Sequence, residues 1–297
     1  MMFEGFDDQR IILSSGLALR VRTGGEGPPV MLLHGYPQTS ACWHAIAPQL
    51  TAAGFTVVAP DLRGYGESDK PPSSPDHSTY SKRAMANDMV ELMQRLGYER
   101  FQVAGHDRGG RVAHRMALDH PLVVARLAVL DIAPTATMYA RTDRTFATGY
   151  YHWFFLIQPA PLPERLIGAD PDFYLRTKLD AWGKSGLSVF SPEAIDEYCT
   201  AFRDPACVSA TCEDYRAAAS IDLDHDEADA ARRIDAPLLV LWGAKGLVGK
   251  LYDVVETWRE KALAVSGRAL PVGHFLPEEA PDETARALIS FFSGPQR

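Results

Sequence analysis

Gly105-His106-Asp107-Arg108-Gly109 places a carboxylate at the centre of a glycine-flanked turn, after an apolar run through Val103-Ala104 and before a helical stretch over 109–119. A strand-turn-helix of the form G-x-nucleophile-x-G bends sharply, and small neighbours relieve the crowding around its strained central residue. With aspartate at the centre, the chemistry this turn can do is displacement at a saturated carbon. A carboxylate that expels a leaving group forms an ester, whose carbonyl water can attack; a serine would be left as an ether that water does not readily cleave. The competing reading of Asp107 is a turn aspartate that caps the following helix.

Arg108 and Arg111 are three residues apart at the start of that helix and share a face. Two cations beside a helix N-terminus, which already carries partial positive charge, call for an anion next to Asp107. A substrate carboxylate held by the guanidinium forks meets that demand. The competing arrangement puts one arginine in the site and pairs the other at the surface; Arg115 is expected to face solvent.

Hydrolysis of an ester also needs a base, and histidine titrates nearest neutrality. Of the nine histidines, His274 stands in a loop after the last strand-like run. His34 and His106 fall within structural motifs, while His44, His77, His114, His120 and His225 read as surface or packing residues.

These groups need a scaffold, and the chain supplies strand and helix in alternation. Residues 10–22 alternate around Ser14-Ser15-Gly16 and predict a hairpin. Val30-Met31-Leu32-Leu33 is continuously apolar, as expected of a strand buried on both faces of a parallel sheet. Helical character over 43–53 precedes a strand over 55–60, a helix over 79–97, a strand over 101–104, the helix over 109–119 and a strand over 127–130. The rhythm predicts a doubly wound, mostly parallel α/β sheet.

After Pro134 it breaks: residues 138–222 lack β-rich runs and carry helical stretches over 172–184, 192–204 and 207–219. They are expected to form a helical cap inserted in a core made of residues 1–137 and 223–297. Strand character returns over 237–243, followed by helix over 251–264, strand over 268–270 and a last helix over 278–293. Tyr36, Asp107, Asp131 and His274 all fall just beyond strand carboxyl ends, where ligands bind in open α/β sheets.

The 297 residues are 46% hydrophobic and 23% charged, the composition of a soluble globular protein. A formal charge of −8 disfavours nucleic acid and anionic membranes as partners. The N-terminus has no basic and apolar leader pattern and no run approaches a membrane span, so a cytoplasmic location is expected. The four cysteines form no CxxC pair, which favours reduced thiols over a disulfide framework or a zinc site.

His34-Gly35-Tyr36-Pro37, Asp61-Leu62-Arg63-Gly64-Tyr65-Gly66-Glu67-Ser68, the Gly105–Gly109 turn and Gly273-His274-Phe275 together resemble the α/β-hydrolase fold. The resemblance is to the branch with haloalkane dehalogenases, epoxide hydrolases and haloacetate dehalogenases, and more narrowly to fluoroacetate dehalogenases. A nucleophile-acid-histidine chain order fits this fold. Many members carry the acid after the strand equivalent to 238–241, but here that turn is Gly243-Ala244-Lys245-Gly246. The other place, after the strand that follows the elbow helix, supplies Asp131, whose competing reading is a strand-end turn aspartate.

Haloalkane dehalogenases and epoxide hydrolases commonly have an aromatic residue at the Arg108 position. The resemblance further implies that His152, Trp153 and Tyr215 bind the halide, that the backbone N–H groups of Tyr36 and Arg108 form an oxyanion hole, and that the protein is a homodimer. Spacing alone does not select those three side chains. The implied reaction converts a short 2-haloacid, such as fluoroacetate or chloroacetate, to a 2-hydroxy acid and halide without metal or organic cofactor. Two other readings stay open: an epoxide hydrolase, for which Tyr150, Tyr151 and Tyr215 could protonate the epoxide oxygen, or a haloalkane dehalogenase. A sensor that binds an acid without turnover is a third.

Overall fold

The hairpin forms where alternation predicts it. In the computed structural model, which describes residues 2–294, β1 (Asp7–Ile12) pairs antiparallel with β2 (Ala18–Gly24). β2 in turn pairs antiparallel with β4 (Thr56–Pro60), and from there the sheet is parallel. It adds β3 (Pro29–Leu33), β5 (Phe101–His106), β6 (Val124–Leu130), β7 (Leu238–Gly243) and β8 (Val265–Leu270). Among the described residues these eight strands form one sheet in the order β1-β2-β4-β3-β5-β6-β7-β8. β4 and β5 are buried along their whole length, since helices cover both faces of a parallel sheet.

The first helices are α1 (Ala47–Ala52), α2 (Lys82–Arg95) and α3 (Arg108–Asp119). A 3-10 turn over Ser40–Trp43 precedes α1, so the expected helix over 43–53 is two short pieces. α2 starts at Ser81, whose side chain accepts the Ala84 N–H. α3 is buried from Arg108 to Leu118 because it is packed against β5, β6 and α2. That packing corrects one expectation: Arg115 does not face solvent. It is buried and held by Asp119 at 3.1 Å, Asp226 at 2.9 Å and Asp229 at 2.5 Å, which compensate a charge the crowded helix has no open face to expose.

Between β6 and β7 the chain is helical: α4 (Thr135–Ala140), α5 (Arg144–Gly149), α6 (His152–Phe155), α7 (Leu162–Gly168), α8 (Pro171–Trp182), α9 (Pro192–Phe202), α10 (Pro205–Ala218) and α11 (Ile221–Ala228). After β7 the expected helix over 251–264 is instead α12 (Val248–Leu251) and α13 (Val254–Arg259). Tyr252 is extended, and the Asp253 side chain accepts the Glu256 N–H and starts a new helix. The last helix is likewise split into α14 (Leu276–Glu279) and α15 (Pro281–Phe292), because Pro281 excludes the helical conformation from Ala280.

Strand register decides where the site residues emerge. Leu33 lies opposite Gly105, His106 opposite Leu130, and Leu130 opposite Leu241. The ladder runs one step further: the Asp107 N–H donates to the Leu130 carbonyl at 3.2 Å and the Asp131 N–H to the Leu241 carbonyl at 2.8 Å. The turns after β3, β5, β6 and β8 therefore open on the same edge of the sheet.

Candidate active site

Asp107 carries the strain expected of an elbow, with φ 46° and ψ −113°. The bend closes tightly enough that a Cβ on Gly105 would lie 2.4 Å from the Gly109 carbonyl oxygen, and one on Gly109 2.4 Å from the carbonyl oxygens of Leu33 and His34. Side chains at these two positions would force the turn open.

The two carboxylate oxygens of Asp107 have different surroundings. Oδ1 accepts the Tyr36 backbone N–H at 3.0 Å, and Oδ2 lies 3.9 Å from Nε2 of His274. On the far side of the imidazole, Nδ1 lies 2.6 Å from Oδ2 of Asp131, whose Oδ1 accepts the Gly243 N–H at 2.9 Å. Asp131 thus fixes the tautomer, with Nδ1 as donor and Nε2 directed to Asp107. The His274 backbone is clamped as well: its N–H donates to the Trp182 carbonyl at 3.1 Å, and its carbonyl lies 2.8 Å from Nε2 of His106. His34, the other motif histidine, has Nε2 occupied by the Leu62 N–H at 3.0 Å.

Charge is divided to match. Burial works against ionisation of Asp107, but His274, Arg111 and Arg108 outweigh it and hold the carboxyl below its ordinary 3.8. Burial also opposes the charged form of His274, yet Asp131, and then Asp107, raise it above 6.5. His106 is pushed down to about 3 by burial and by the neighbouring His274, so it stays neutral.

The arginines are brought to the site in unequal states. Arg108, completely buried, is already paired: Nε donates to Oδ2 of Asp214 at 3.0 Å and Nη2 to Oδ1 at 2.5 Å. Lys82 also binds Asp214, and the Tyr65 hydroxyl donates to it at 2.7 Å. The third nitrogen of Arg108, Nη1, has no partner among the described residues. Arg111 has no acid within ion-pair distance there; Nη1 donates to Thr135 Oγ1 at 2.8 Å, and Nε is unpartnered. Burial, then repulsion from Arg108, lowers its pKa from 12.5. The sequence argument gave both arginines to the substrate carboxylate, with pairing of one at the surface as the competing arrangement, and missed the buried partner Asp214, because nothing in the spacing of an acid on α10 marks a partner on α3.

His152, Trp153 and Tyr215 are brought together over these guanidiniums. The Arg108 guanidinium lies 4.1 Å from the Tyr215 ring centroid and that of Arg111 4.7 Å from the Trp153 ring. His152 is 5.5 Å and Trp153 6.3 Å from the Tyr215 ring, and the Tyr36 ring stacks on His152 at 6.2 Å. The Tyr215 hydroxyl and His152 Nδ1 are buried without a partner among the described residues. Burial and then Lys178 drive His152 well below its ordinary pKa, which leaves a neutral ring with one N–H to donate. Tyr150 and Trp182, which the sequence argument did not select as halide ligands, complete the aromatic wall; their rings lie 6.4 Å and 5.8 Å from His274.

Known proteins resemble this chain over nearly its whole length. The family described as the alpha/beta hydrolase fold matches residues 28–281. The chain is 48% identical over 292 residues to a fluoroacetate dehalogenase of a Burkholderia species, covering 98% of this chain and 95% of that one. It is 35% identical to a soluble epoxide hydrolase of Corynebacterium sp. strain C12, with 94% and 95% covered. A solved structure from Nostoc sp. PCC 7120, described as an alpha/beta hydrolase, superposes with a TM-score of 0.97 at 58% identity, covering 99% of this chain and all of that one (100%).

Proposed function

The chain belongs to the alpha/beta hydrolase fold family, and from that premise we propose that it is a hydrolytic haloacetate dehalogenase working through an aspartyl ester. The observation that carries the reading is a buried, acid-free Arg111 beside an ionised nucleophile, Asp107. A neutral substrate would leave that charge uncompensated once Asp107 is esterified; a haloacid carboxylate neutralises it.

In this scheme Arg111 and the free Nη1 of Arg108 bind the carboxylate. Oδ2 of Asp107 attacks the halogen-bearing carbon from the side opposite the halide, while Oδ1 stays on the Tyr36 N–H. The halide leaves toward the Tyr215 hydroxyl, the His152 N–H and Trp153, and fluoride, strongly hydrated, needs several donors at one point. His274 then takes a proton from water, which attacks the ester carbonyl. Oδ1 becomes the oxyanion, with the Arg108 N–H as the second proposed donor; its collapse breaks the bond between Cγ and the ester oxygen, and the 2-hydroxy acid leaves with the proton that His274 returns.

The charge balance favours this order of events. In the resting site the Asp107 carboxylate helps keep a proton on His274. Esterification removes that negative charge and lowers the imidazole's hold on a proton, so His274 is more readily in its neutral, proton-accepting form at the moment water must be activated. Asp131 remains to orient it and to stabilise the imidazolium.

We further read residues 138–222 as a cap unit over a core of 1–137 and 223–297, in the cytoplasm. Among the described residues no helix is long and apolar enough to cross a membrane. A homodimer is supported by apolar side chains exposed on α7 and α8, where Leu162, Leu166 and Phe173 are 50%, 59% and 68% accessible. Sedimentation of the native protein and of a Leu166→Glu variant tests this.

The direct test of function is fluoride or chloride release from the corresponding haloacetate, with styrene oxide as the competing substrate. Diol formation from the epoxide without halide release from either acid would overturn the proposal in favour of an epoxide hydrolase. Tyr151, one of the tyrosines that such an enzyme would need, is instead engaged by Lys178.

A further inference from the structure

A cleft of about 360 Å3 lies against His274, walled by residues of α5, α8 and α12 and the turn after β7. Lys178, Lys184, Lys245 and Lys250 line it, and no aspartate or glutamate does. None of the four makes an ion pair among the described residues, in contrast to the acid-paired Lys70 and Lys82. In a chain of net charge −8 this is a local reversal of sign beside His274.

Lys178 is the unusual member. The residue is only 2% exposed, yet its ammonium meets no carboxylate among the described residues. Three rings hold it, those of Tyr151 at 3.7 Å, Tyr174 at 5.0 Å and Trp182 at 5.4 Å, and it donates to the Tyr151 hydroxyl. Aromatic faces position a cation without neutralising it. With one N–H on Tyr151, two remain for an anion. The field of this ammonium reaches the halide trio, since after burial it is the next largest cause that holds His152 neutral. Trp182 links the two places, its ring 4.3 Å from that of His152.

We propose that Lys178 is a binding site for small monovalent anions, halide or short carboxylate, through which haloacid is captured and halide drawn off between the lysine-lined cleft and Asp107. The inference rests on the haloacid reading of the site, but it concerns how the anion arrives and leaves and not the chemical step. A purely structural Lys178 would serve only to pack α8 against Tyr151.

Kinetics of Lys178→Met, Lys178→Arg and the native protein on chloroacetate test it. Loss of the charge is expected to lower kcat/KM about ten-fold and to flatten its dependence on ionic strength, with the single-turnover rate at saturation unchanged. Lys178→Arg restores both. The combined Lys184→Gln, Lys245→Gln and Lys250→Gln variant flattens the salt dependence without touching the buried lysine. Native-like kcat/KM and salt dependence in Lys178→Met would overturn the proposal.

A second measurement needs no turnover. Bromide quenching of Trp182 fluorescence, taken as the difference between native and Trp182→Phe proteins, is expected to saturate, and to half-saturate at a higher bromide concentration in Lys178→Met, where only the halide trio beside Trp182 is left; an unchanged half-saturation would count against Lys178. Sodium acetate competing with bromide shows that carboxylates share the site, whereas quenching indifferent to acetate confines it to halide and removes the capture half of the proposal. If haloacids prove not to be substrates but quenching still saturates through Lys178, the functional reading fails and the anion site stands. Linear quenching in the native protein would sink the site itself.

Discussion

Asp214 grips Arg108 in a two-point pair wholly removed from solvent, with Nε–Oδ2 at 3.0 Å and Nη2–Oδ1 at 2.5 Å. The same carboxylate answers Lys82, so one acid on α10 tethers two cations, on α2 and α3. Asp214→Asn leaves both cations under-compensated and is expected to cost about 3–5 kcal/mol of stability. Urea denaturation measures it; a loss below about 1 kcal/mol would mean that other groups already carry the compensation.

Removing the base should separate the two half-reactions. With His274→Ala, Asp107 still reacts, and intact-protein mass spectrometry after exposure to chloroacetate is expected to show one added carboxymethyl group on the peptide bearing Asp107. Asp107→Asn should show neither adduct nor turnover. An unmodified His274→Ala protein with halide released would rule out the ester.

Arg111 and Arg108 should differ in their tolerance of change. Arg111→Ala is expected to lower kcat/KM for haloacetates by about 100-fold, near 3 kcal/mol, with the fold retained because no acid is stranded. Arg111→Lys should recover only part of this, since an ammonium lacks the planar fork. Arg108→Ala leaves buried Asp214 to Lys82 and the Tyr65 hydroxyl alone and should destabilise the protein more than Arg111→Ala does, which thermal melts of the two variants will distinguish.

Tyr215→Phe removes one donor from the proposed halide site. Fluoride depends on donors more than bromide does, so turnover of fluoroacetate is expected to fall at least about ten-fold further than that of bromoacetate. Equal losses on both substrates, measured by ion-selective electrode, would place the hydroxyl elsewhere in the reaction.

The pH dependence follows from opposite shifts in the two partners. Asp107 lies below 3.8 and stays ionised through mild acid, so alkylation should persist there. His274 must be neutral to accept the water proton; Asp131 and Asp107 raise its pKa above 6.5 in the resting enzyme, and hydrolysis should weaken as pH falls through the value it takes in the ester. Once the ester has removed the Asp107 charge, the limb governing its breakdown should lie lower than the limb for the free enzyme. Stopped-flow halide release at about pH 5 is therefore expected to show a burst followed by slow turnover. A single pH-independent phase would contradict the assignment of His274.

Much of the scaffold was legible because local rules decide it. A continuous apolar run predicts β3, and the glycines flanking Asp107 predict the elbow, whose cramped backbone accepts no larger residue. Helix limits were less legible around 251–264 and 278–293, where the Asp253 cap and Pro281 restart the helix within one apolar pattern. Arg115 was misjudged for a different reason. Its helix has no solvent face, and the acids that hold it come from α11 as well as from its own last turn.

The order of residues along the chain by itself determined the candidate nucleophile, the candidate base and the sheet that carries them, because strand-turn-helix geometry is written in neighbouring side chains. What only the tertiary structure decided is the state of each charge: Arg108 paired, Arg111 unpaired, His152 neutral and Lys178 caged by aromatic rings. Those states depend on burial and on partners tens of residues away in sequence, Asp214 for Arg108 and Tyr151 for Lys178. Electrostatic energy is set by distance and desolvation in space, and separation along the chain encodes neither.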